Sequence, residues 1–297
     1  MSRNIKYQFR NLIERNFQEG MDKHSMKKMK KMDGIRIFSY ADRKNLLDLS
    51  SEFSNYMKEQ HKDVKMIKNI NSNHIQEFLL QKSKTCSQKT LEQYASRFRK
   101  LERMANSFYH ANVDFHSIVV PISCVNGGKK LRDRMITNVE YETLLRTTNE
   151  NLRKALLLSK EFGLRASECS KLRYEDLSPY GISIIDSKGK RSRFVPIENT
   201  QQSIIINSLI VNKEGNVCPI QSESLQQSFR REIKKQGISI IHGAFHALRK
   251  NYATHKYQEY REQGLSIQDA LDKVSDRLGH GACRNELMKA YICCDLK

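Results

Sequence analysis

Arg165 lies at a break between two helical segments, in the stretch 158-LSKEFGLRASECSKLRYEDL-177. An apolar helical run stops at Gly163, and a second segment begins at Ser167, a residue type that often caps helices. The first backbone N–H groups of a helix have no intrahelical partner and favour an anion. We therefore predict that Ser167 caps the second segment and that Arg165 reaches an anionic group beside it.

Three further segments place cationic or imidazole side chains where packing does not require them. Lys188 falls in the turn of a predicted hairpin and is free to reach outward. His246 and Arg249 are three residues apart in a helical pattern, so both project from one face. His280 follows a glycine that ends a helix, and Tyr291 closes the last predicted helix eleven residues later. Groups of these types bind anions and transfer protons.

The net charge indicates a polyanionic partner. The chain has 52 lysines and arginines against 33 acidic residues, a formal net charge of +19. The excess is shared, with 23 basic and 13 acidic residues in 1–120 and 29 and 20 in 121–297. Both halves are basic to the same degree, so we expect a nucleic acid that both halves contact.

Composition describes a globular protein of the cytosol with enough residues for two cores. No apolar run approaches the roughly 20 residues that span a bilayer, and the N-terminal residues lack the apolar core of a signal peptide. The seven cysteines include no C-x-x-C pair, so we predict reduced thiols and no zinc site.

The pattern of apolar residues predicts a mainly α-helical protein with one small antiparallel β-sheet, an α+β fold. Residues 1–122 are predicted as a helical bundle, 123–136 as a linker containing two glycines, and 137–297 as a second domain. Two β-branched runs around a tight turn predict a hairpin in 181–197. The predicted helices are 42–59, 73–82, 85–110, 137–148, 151–162, 199–210, 221–236, 244–262, 266–278 and 284–292.

These motifs, in this order, resemble those of the tyrosine recombinase (phage integrase) family. They are Gly163-Leu164-Arg165-x-Ser167-Glu168, Lys188 in a hairpin, His246-x-x-Arg249, Leu278-Gly279-His280 and Tyr291. The resemblance covers 136–297 and implies that this part is the catalytic domain. The bundle is similar only in kind, as a helical core-binding (SAM-like) domain that binds DNA.

The resemblance implies that Tyr291 attacks a DNA phosphodiester, forms a 3′-phosphotyrosyl link and releases a 5′-hydroxyl. Arg165 and Arg249 would clamp the non-bridging oxygens bidentately, as guanidinium groups do better than amines. The arginines would do the charge work that a metal ion performs in other phosphoryl-transfer sites. We therefore expect neither a metal nor another cofactor.

The remaining catalytic roles follow from the same resemblance. Lys188 would protonate the leaving 5′-oxygen, with Lys190 as the alternative acid. His246 and His280 would hydrogen-bond the phosphate or help to deprotonate the tyrosine. The alternative nucleophiles Tyr252, Tyr257 and Tyr260 share the helix of Arg249, at a spacing that suits packing. Glu168 is predicted to be structural and to orient an arginine.

Further basic residues are predicted to contact the DNA backbone. They are Lys190, Arg191 and Arg193 in the hairpin, with a plain solvated hairpin as the alternative, and Lys89, Arg97 and Lys100 in the bundle.

The resemblance implies a site-specific recombinase of a mobile element, an integrase or excisionase, working as four protomers on two DNA duplexes and without a membrane. Two alternatives stay open: a relaxing enzyme of the type IB topoisomerase kind with the same active site, and a catalytically silent DNA-binding regulator. The six residues after Tyr291 are too few for the helix that many relatives pack onto a neighbouring subunit, so the mode of assembly stays open.

Overall fold

The computed structural model describes residues 4–19, 26, 34–125, 135–187, 192–210, 214–239, 244–281 and 284–294. The chain divides into two compact units, Met1–Lys129 and Lys130–Lys297. The division falls within the segment 123–136 that was predicted as a linker. Both units are mainly helical, and the second contains a small antiparallel sheet, which confirms the predicted fold class.

The N-terminal unit is built around aromatic rings. It contains helices α1 (Ile5–Asn16), α2 (Tyr40–Gln60), α3 (Ser72–Ser83) and α4 (Gln88–Tyr109), with a 3₁₀ turn at Ile67–Asn69. The ring of Phe53 lies 6.4, 5.3 and 5.0 Å from those of Phe9, Phe78 and Phe98, measured between centroids. Ser87 accepts a hydrogen bond from the Thr90 N–H and caps α4.

Helix α1 was not among the predicted helices. Its buried residues include Ile5, Phe9, Leu12 and Ile13, which recur at helical spacing and face the same core as α2 and α4. The apolar pattern of this helix was therefore present in the sequence, although our prediction did not include it.

The C-terminal unit surrounds its sheet with helices. The elements are α5 (Asn138–Thr147), α6 (Glu150–Phe162), α7 (Ala166–Cys169), β1 (Leu177–Ser178), β2 (Gly181–Ile184), β3 (Arg193–Pro196), α8 (Thr200–Leu209), α9 (Ser222–Lys235), α10 (Ala244–Glu262), α11 (Ile267–Arg277) and α12 (Asn285–Lys289). The strand order is β1-β2-β3, antiparallel throughout, and Ile184 pairs with Arg193 at the end of the hairpin that adjoins its connecting segment. Strand β1 was not predicted, because two residues carry no periodic signal.

Two apolar clusters in this unit meet along α10. The larger cluster includes α5 to α9 and the start of α10, up to Leu248. The smaller cluster runs from Tyr252 through α11 and α12 to Tyr291 and Ile292. Arg249 therefore lies in the helix at the point where the two clusters meet.

The last helix is shorter than predicted. Helix α12 ends at Lys289, whereas the predicted helix reached 292 and included Tyr291. Tyr291 instead follows in a turn, where its N–H donates to the Met288 carbonyl at 2.8 Å. None of the helices that the structure describes has the length and hydropathy needed to cross a membrane.

Candidate active site

The break after α6 positions Arg165. Gly163 ends the helix with φ of 65°, and an added Cβ there would lie 2.6 Å from Cδ1 of Tyr252, so both the backbone conformation and the space require glycine. Helix α7 begins at Ala166, and Arg165 is its N-cap residue. The predicted cap at Ser167 is therefore wrong. The Glu168 carboxylate caps the turn instead, accepting from the Arg165 N–H at 2.8 Å.

Glu168 is a buried carboxylate shared by several cations. It accepts from Nη1 of Arg165 at 2.6 Å, and from Nη1 and Nη2 of Arg193 at 2.8 and 2.9 Å. The Ser187 hydroxyl also donates to it, and Nη1 of Arg249 lies 3.9 Å away. Burial on its own raises the pKa of Glu168, but the hydrogen bonds and charges of these arginines outweigh burial and hold the pKa well below its usual range.

Arg249 is held inside the protein by main-chain carbonyls. Its side chain is 1% exposed, Nη1 donates to the Gly163 carbonyl, and Nη2 donates to the Leu278 carbonyl at 3.1 Å. Within the described part of the chain, its Nε has no hydrogen-bond partner. Burial, with the nearby charge of Arg165, lowers the pKa of Arg249 to about 10, which leaves the group cationic at neutral pH.

Tyr291 lies among the two histidines and the two arginines. Its hydroxyl oxygen is 3.3 Å from Nδ1 of His246, and the ring centroids of Tyr291 and His280 are 5.6 Å apart. The guanidinium carbon of Arg249 lies 5.8 Å from the Tyr291 ring centroid. Nη2 of Arg165 is 3.3 Å from Nε2 of His280, so the arginine donates to an unprotonated ring nitrogen.

The structure thus brings together five residues of the predicted catalytic set, Arg165, His246, Arg249, His280 and Tyr291. The sixth, Lys188, lies outside the described residues, as do Lys190 and Arg191. An open cleft of about 510 Å³ borders this site, and its lining includes Arg165, Glu168, Lys171 and Ser187.

The alternative nucleophiles lie in the apolar core. The hydroxyls of Tyr252 and Tyr257 are buried without a hydrogen-bond partner among the described residues. The hydroxyl of Tyr260 accepts from Nε of Arg277 at 3.3 Å. Their packing in the smaller cluster agrees with the role that their spacing suggested.

Two of the predicted DNA contacts require correction. Arg193 is 10% exposed and is bound to Glu168, and its Nε donates to the Arg277 carbonyl at 3.1 Å. Lys100 donates to Asp42 at 2.8 Å and to the Arg36 carbonyl at 2.9 Å. Their cationic groups are engaged within the protein and neither residue belongs to the predicted catalytic set, so neither is proposed below as a phosphate contact.

The other two described contacts stay predictions. Lys89 is exposed and pairs with Glu92 at 3.5 Å, and Arg97 is half-buried but donates from Nη2 to Gln93 at 3.4 Å in an exposed hydrogen bond. Both cationic groups are therefore accessible from solvent, as a phosphate contact requires.

Strand alternation could have revealed the role of Arg193 that the sequence analysis missed. Successive residues of a strand point to opposite faces, so Arg193 shares a face with the buried Val195, while Phe194 between them is exposed.

The C-terminal unit matches a known protein family. Residues 134–281 match the family model described as "Phage integrase family". No curated protein matches the chain at a significant level.

Several solved structures share its fold. A lambda integrase tetramer bound to a Holliday junction is similar with a TM-score of 0.63 and 15% identity, over 92% of this chain and 77% of that one. The Tn1549 transposon integrase in complex with a circular intermediate DNA is similar with a TM-score of 0.62 and 15% identity, over 96% of this chain and 95% of that one. XerH site-specific recombinase, in a post-cleavage complex with palindromic difH substrate, is similar with a TM-score of 0.58 and 19% identity, over 84% of this chain and 74% of that one.

At these identities the structural likeness establishes the fold, and the family model adds the sequence relationship. The resemblance inferred from the motifs is thereby confirmed. This chain belongs to the phage integrase family and is a tyrosine recombinase.

Proposed function

We propose that this protein is a site-specific recombinase or integrase of a mobile element, which cuts and rejoins DNA through a 3′-phosphotyrosyl intermediate on Tyr291. The observation that carries the proposal is the convergence on one phenol. Its hydroxyl lies 3.3 Å from His246, its ring faces the Arg249 guanidinium, and Arg165 is hydrogen-bonded to His280 beside it. The similarity to the Tn1549 transposon integrase supports the mobile-element part.

In this mechanism the Tyr291 oxygen attacks phosphorus and gives up its proton, with Nδ1 of His246 as the nearest acceptor. The bond to the 5′-oxygen breaks, and that oxygen takes a proton from Lys188, as the family resemblance implies. The new ester conserves the energy of the broken one, so attack by the 5′-hydroxyl of another strand reverses the step and joins the ends.

Positive charge in the site stabilises the anion that forms. Arg165, Arg193 and Arg249 surround one carboxylate, Glu168, which leaves a net charge of +2 in this cluster. Donors held in place before the reaction stabilise a developing charge without the cost of reorganisation. Arg165 and Arg249 are the two that we assign to the non-bridging oxygens of the phosphate.

The proposed partner is duplex DNA, and the proposed assembly is four protomers on two duplexes. The net charge of +19 and the DNA complexes of lambda integrase, Tn1549 integrase and XerH support this assignment. Lys89, Arg97, Lys190 and Arg191 are the residues that we propose as contacts to the phosphate backbone.

Trapping the covalent adduct tests the proposal. The target is first found by sequencing DNA that stays attached to the protein after denaturation, from a library of random duplexes. A duplex nicked close to the cut then loses its 5′-hydroxyl fragment and traps the adduct. We expect an adduct that resists SDS with the unaltered protein and none with Tyr291→Phe. Tyr257→Phe removes a buried hydroxyl of the same helical core and serves as the matched control, which should retain the adduct.

An adduct that persists in Tyr291→Phe would place the nucleophile elsewhere. A plasmid with two target sites then separates recombination from relaxation. Recombinant products and four-way junctions support the recombinase, whereas loss of supercoils without junctions indicates the topoisomerase-like alternative. Specific binding without any adduct would indicate the silent regulator.

A further inference from the structure

Arg193 directs its guanidinium into the protein rather than toward DNA. It forms a bidentate pair with both oxygens of Glu168, at 2.8 and 2.9 Å, and donates from Nε to the carbonyl of Arg277 at 3.1 Å. The planar guanidinium is suited to this geometry, because its donors match the two oxygens of a carboxylate. The side chain therefore joins strand β3 to helix α7 and to the end of helix α11.

The segments that Arg193 joins are those that carry Arg165 and His280. Arg165 precedes α7 and shares the carboxylate of Glu168 through its own N–H and Nη1. His280 follows Gly279, where an added Cβ would lie 2.9 Å from Nη1 of Arg193. Arg193 thus contacts both segments that meet in the hydrogen bond between Nη2 of Arg165 and Nε2 of His280.

We infer that Arg193 is a positioning residue of the active site, which acts on the phosphate through Arg165. By occupying both oxygens of Glu168, it keeps the carboxylate in the orientation that fixes the backbone and Nη1 of Arg165. Nη2 of Arg165 is then directed toward His280, whose ring lies beside that of Tyr291. This inference rests on the proposed function, because it assigns Arg165 to the scissile phosphate.

The charge balance supports the same role. Without Arg193, the buried carboxylate would have Arg165 as its remaining close ion pair, since Arg249 is 3.9 Å away. The positive charge of Arg165 would then be largely neutralised by Glu168, and Arg165 would stabilise the phosphate less. Arg193 supplies the counter-charge, so that Arg165 remains available.

A double-mutant cycle of Arg193→Met and Arg165→Met tests the inference, with single-turnover cleavage of the nicked duplex at saturating DNA as the readout. We expect Arg193→Met to slow cleavage about 100-fold, the size of effect that a displaced catalytic group produces. In the Arg165→Met background the same change should slow cleavage by less than about threefold, because its effect passes through Arg165. DNA affinity and its salt dependence should be unchanged.

Arg153→Met is the matched control. Arg153 donates to the carbonyls of Leu145 and Thr148, away from the residues of the site, so its loss should leave the cleavage rate unchanged. Arg193→Lys serves as a second variant that keeps the charge but not the bidentate pair. We expect it to slow cleavage about tenfold, again without a further effect in the Arg165→Met background. If Arg193→Met does not fold, the cycle with Arg193→Lys decides.

Equal rate losses in the presence and absence of Arg165 would overturn the inference, because they would show an effect independent of Arg165. A weaker affinity with a shallower salt dependence, at an unchanged rate, would also overturn it and return Arg193 to the backbone contacts. Failure of the proposed function is seen separately, as the absence of any adduct with the unaltered protein.

Discussion

The two units bury different kinds of side chain. In the N-terminal unit the core is made of apolar residues centred on Phe53, and Glu102 is the only charged residue that is buried among the described positions of this unit. Among its described positions, the C-terminal unit buries four charged residues as well as its apolar clusters: Glu168, Arg249, Lys250 and Lys256. Removing charges from water is costly, and apolar residues of similar volume often stabilise a protein as well or better. The buried charges of Glu168 and Arg249, which lie in the candidate active site, are therefore explained by chemistry rather than by stability.

The largest effect on stability should come from the apolar core. Phe53→Ala removes the ring at the centre of the N-terminal unit and should lower its free energy of unfolding by about 3–5 kcal/mol. Phe108→Ala, at an exposed position of the same unit, should cost less than about 1 kcal/mol. Urea unfolding followed by circular dichroism measures both. Similar losses for the two variants would contradict the central role of Phe53.

A buried cation of the C-terminal unit should matter most for the rate. Arg249→Met should slow single-turnover cleavage by about 10²–10³-fold, equivalent to about 3–4 kcal/mol, because the transition state loses a preorganised donor. Lys256→Met is the matched control, since Lys256 is a buried cation of the same helix that pairs with Glu198 and Glu259 at 2.7 Å. It should reduce stability and leave the cleavage rate unchanged. Equal rates for Arg249→Met and the unaltered protein would break the comparison.

The buried carboxylate should make stability depend on pH. The pKa of Glu168 is lowered on folding, so its contribution is complete above the unfolded value of about 4.3 and is lost as the pH falls through the folded value. Glu168→Gln should therefore lower the free energy of unfolding by about 3 kcal/mol at pH 7. The difference in free energy of unfolding between Glu168→Gln and the unaltered protein should become smaller only below about pH 4. Denaturant unfolding at several pH values measures this difference.

Glu175→Gln is the control for this pH series. Glu175 is exposed and pairs with Arg173 at 3.1 Å, so the substitution should change little at any pH. If Glu168→Gln and the unaltered protein differed in free energy of unfolding by the same amount at pH 7 and at the lowest pH measured, the lowered pKa of Glu168 would be contradicted.

The smallest effects should come from the surface cations of the N-terminal unit. Lys89→Ala and Arg97→Ala should each reduce the slope of log affinity against log salt concentration by about 1, as the loss of one phosphate contact does. Lys100→Met is the contrast, because Lys100 is already bound to Asp42 and should leave the slope unchanged. Fluorescence anisotropy with labelled duplex DNA measures all three. An unchanged slope for Lys89→Ala and Arg97→Ala would remove these residues from the DNA interface.

Most of the fold could be predicted from the sequence, because strong periodicity decides where long helices lie. Helix α10 was predicted with its observed bounds, Ala244–Glu262, and the hairpin followed from its β-branched runs. The two-residue strand β1 has no periodic pattern. The cap of α7 was assigned to Ser167 from its residue type, whereas the carboxylate of Glu168, three residues after Arg165, takes that role.

The sequence predicted which residues come together at the site, but it did not predict the contacts that hold them in place. The order and spacing of the motifs identified Arg165, Arg249 and Tyr291 as one set. Arg193 and Lys100 were assigned to DNA from charge alone, and charge does not distinguish a cation in solvent from one bound inside the protein. That distinction depends on tertiary contacts, here the carboxylates of Glu168 and Asp42, which are far away in sequence.

The placement of Tyr291 indicates which groups of an active site each copy of the protein supplies. Its ring packs in the cluster formed by α10, α11 and α12 of its own chain, and the following Cys293 N–H donates to the Thr254 hydroxyl at 3.0 Å. The phenol and the guanidiniums are thus supplied by a single molecule. Under the proposed function, we expect one copy bound to half of a target to supply both the nucleophile and the arginines of the first cut, and its neighbour to supply the strand end that exchange requires.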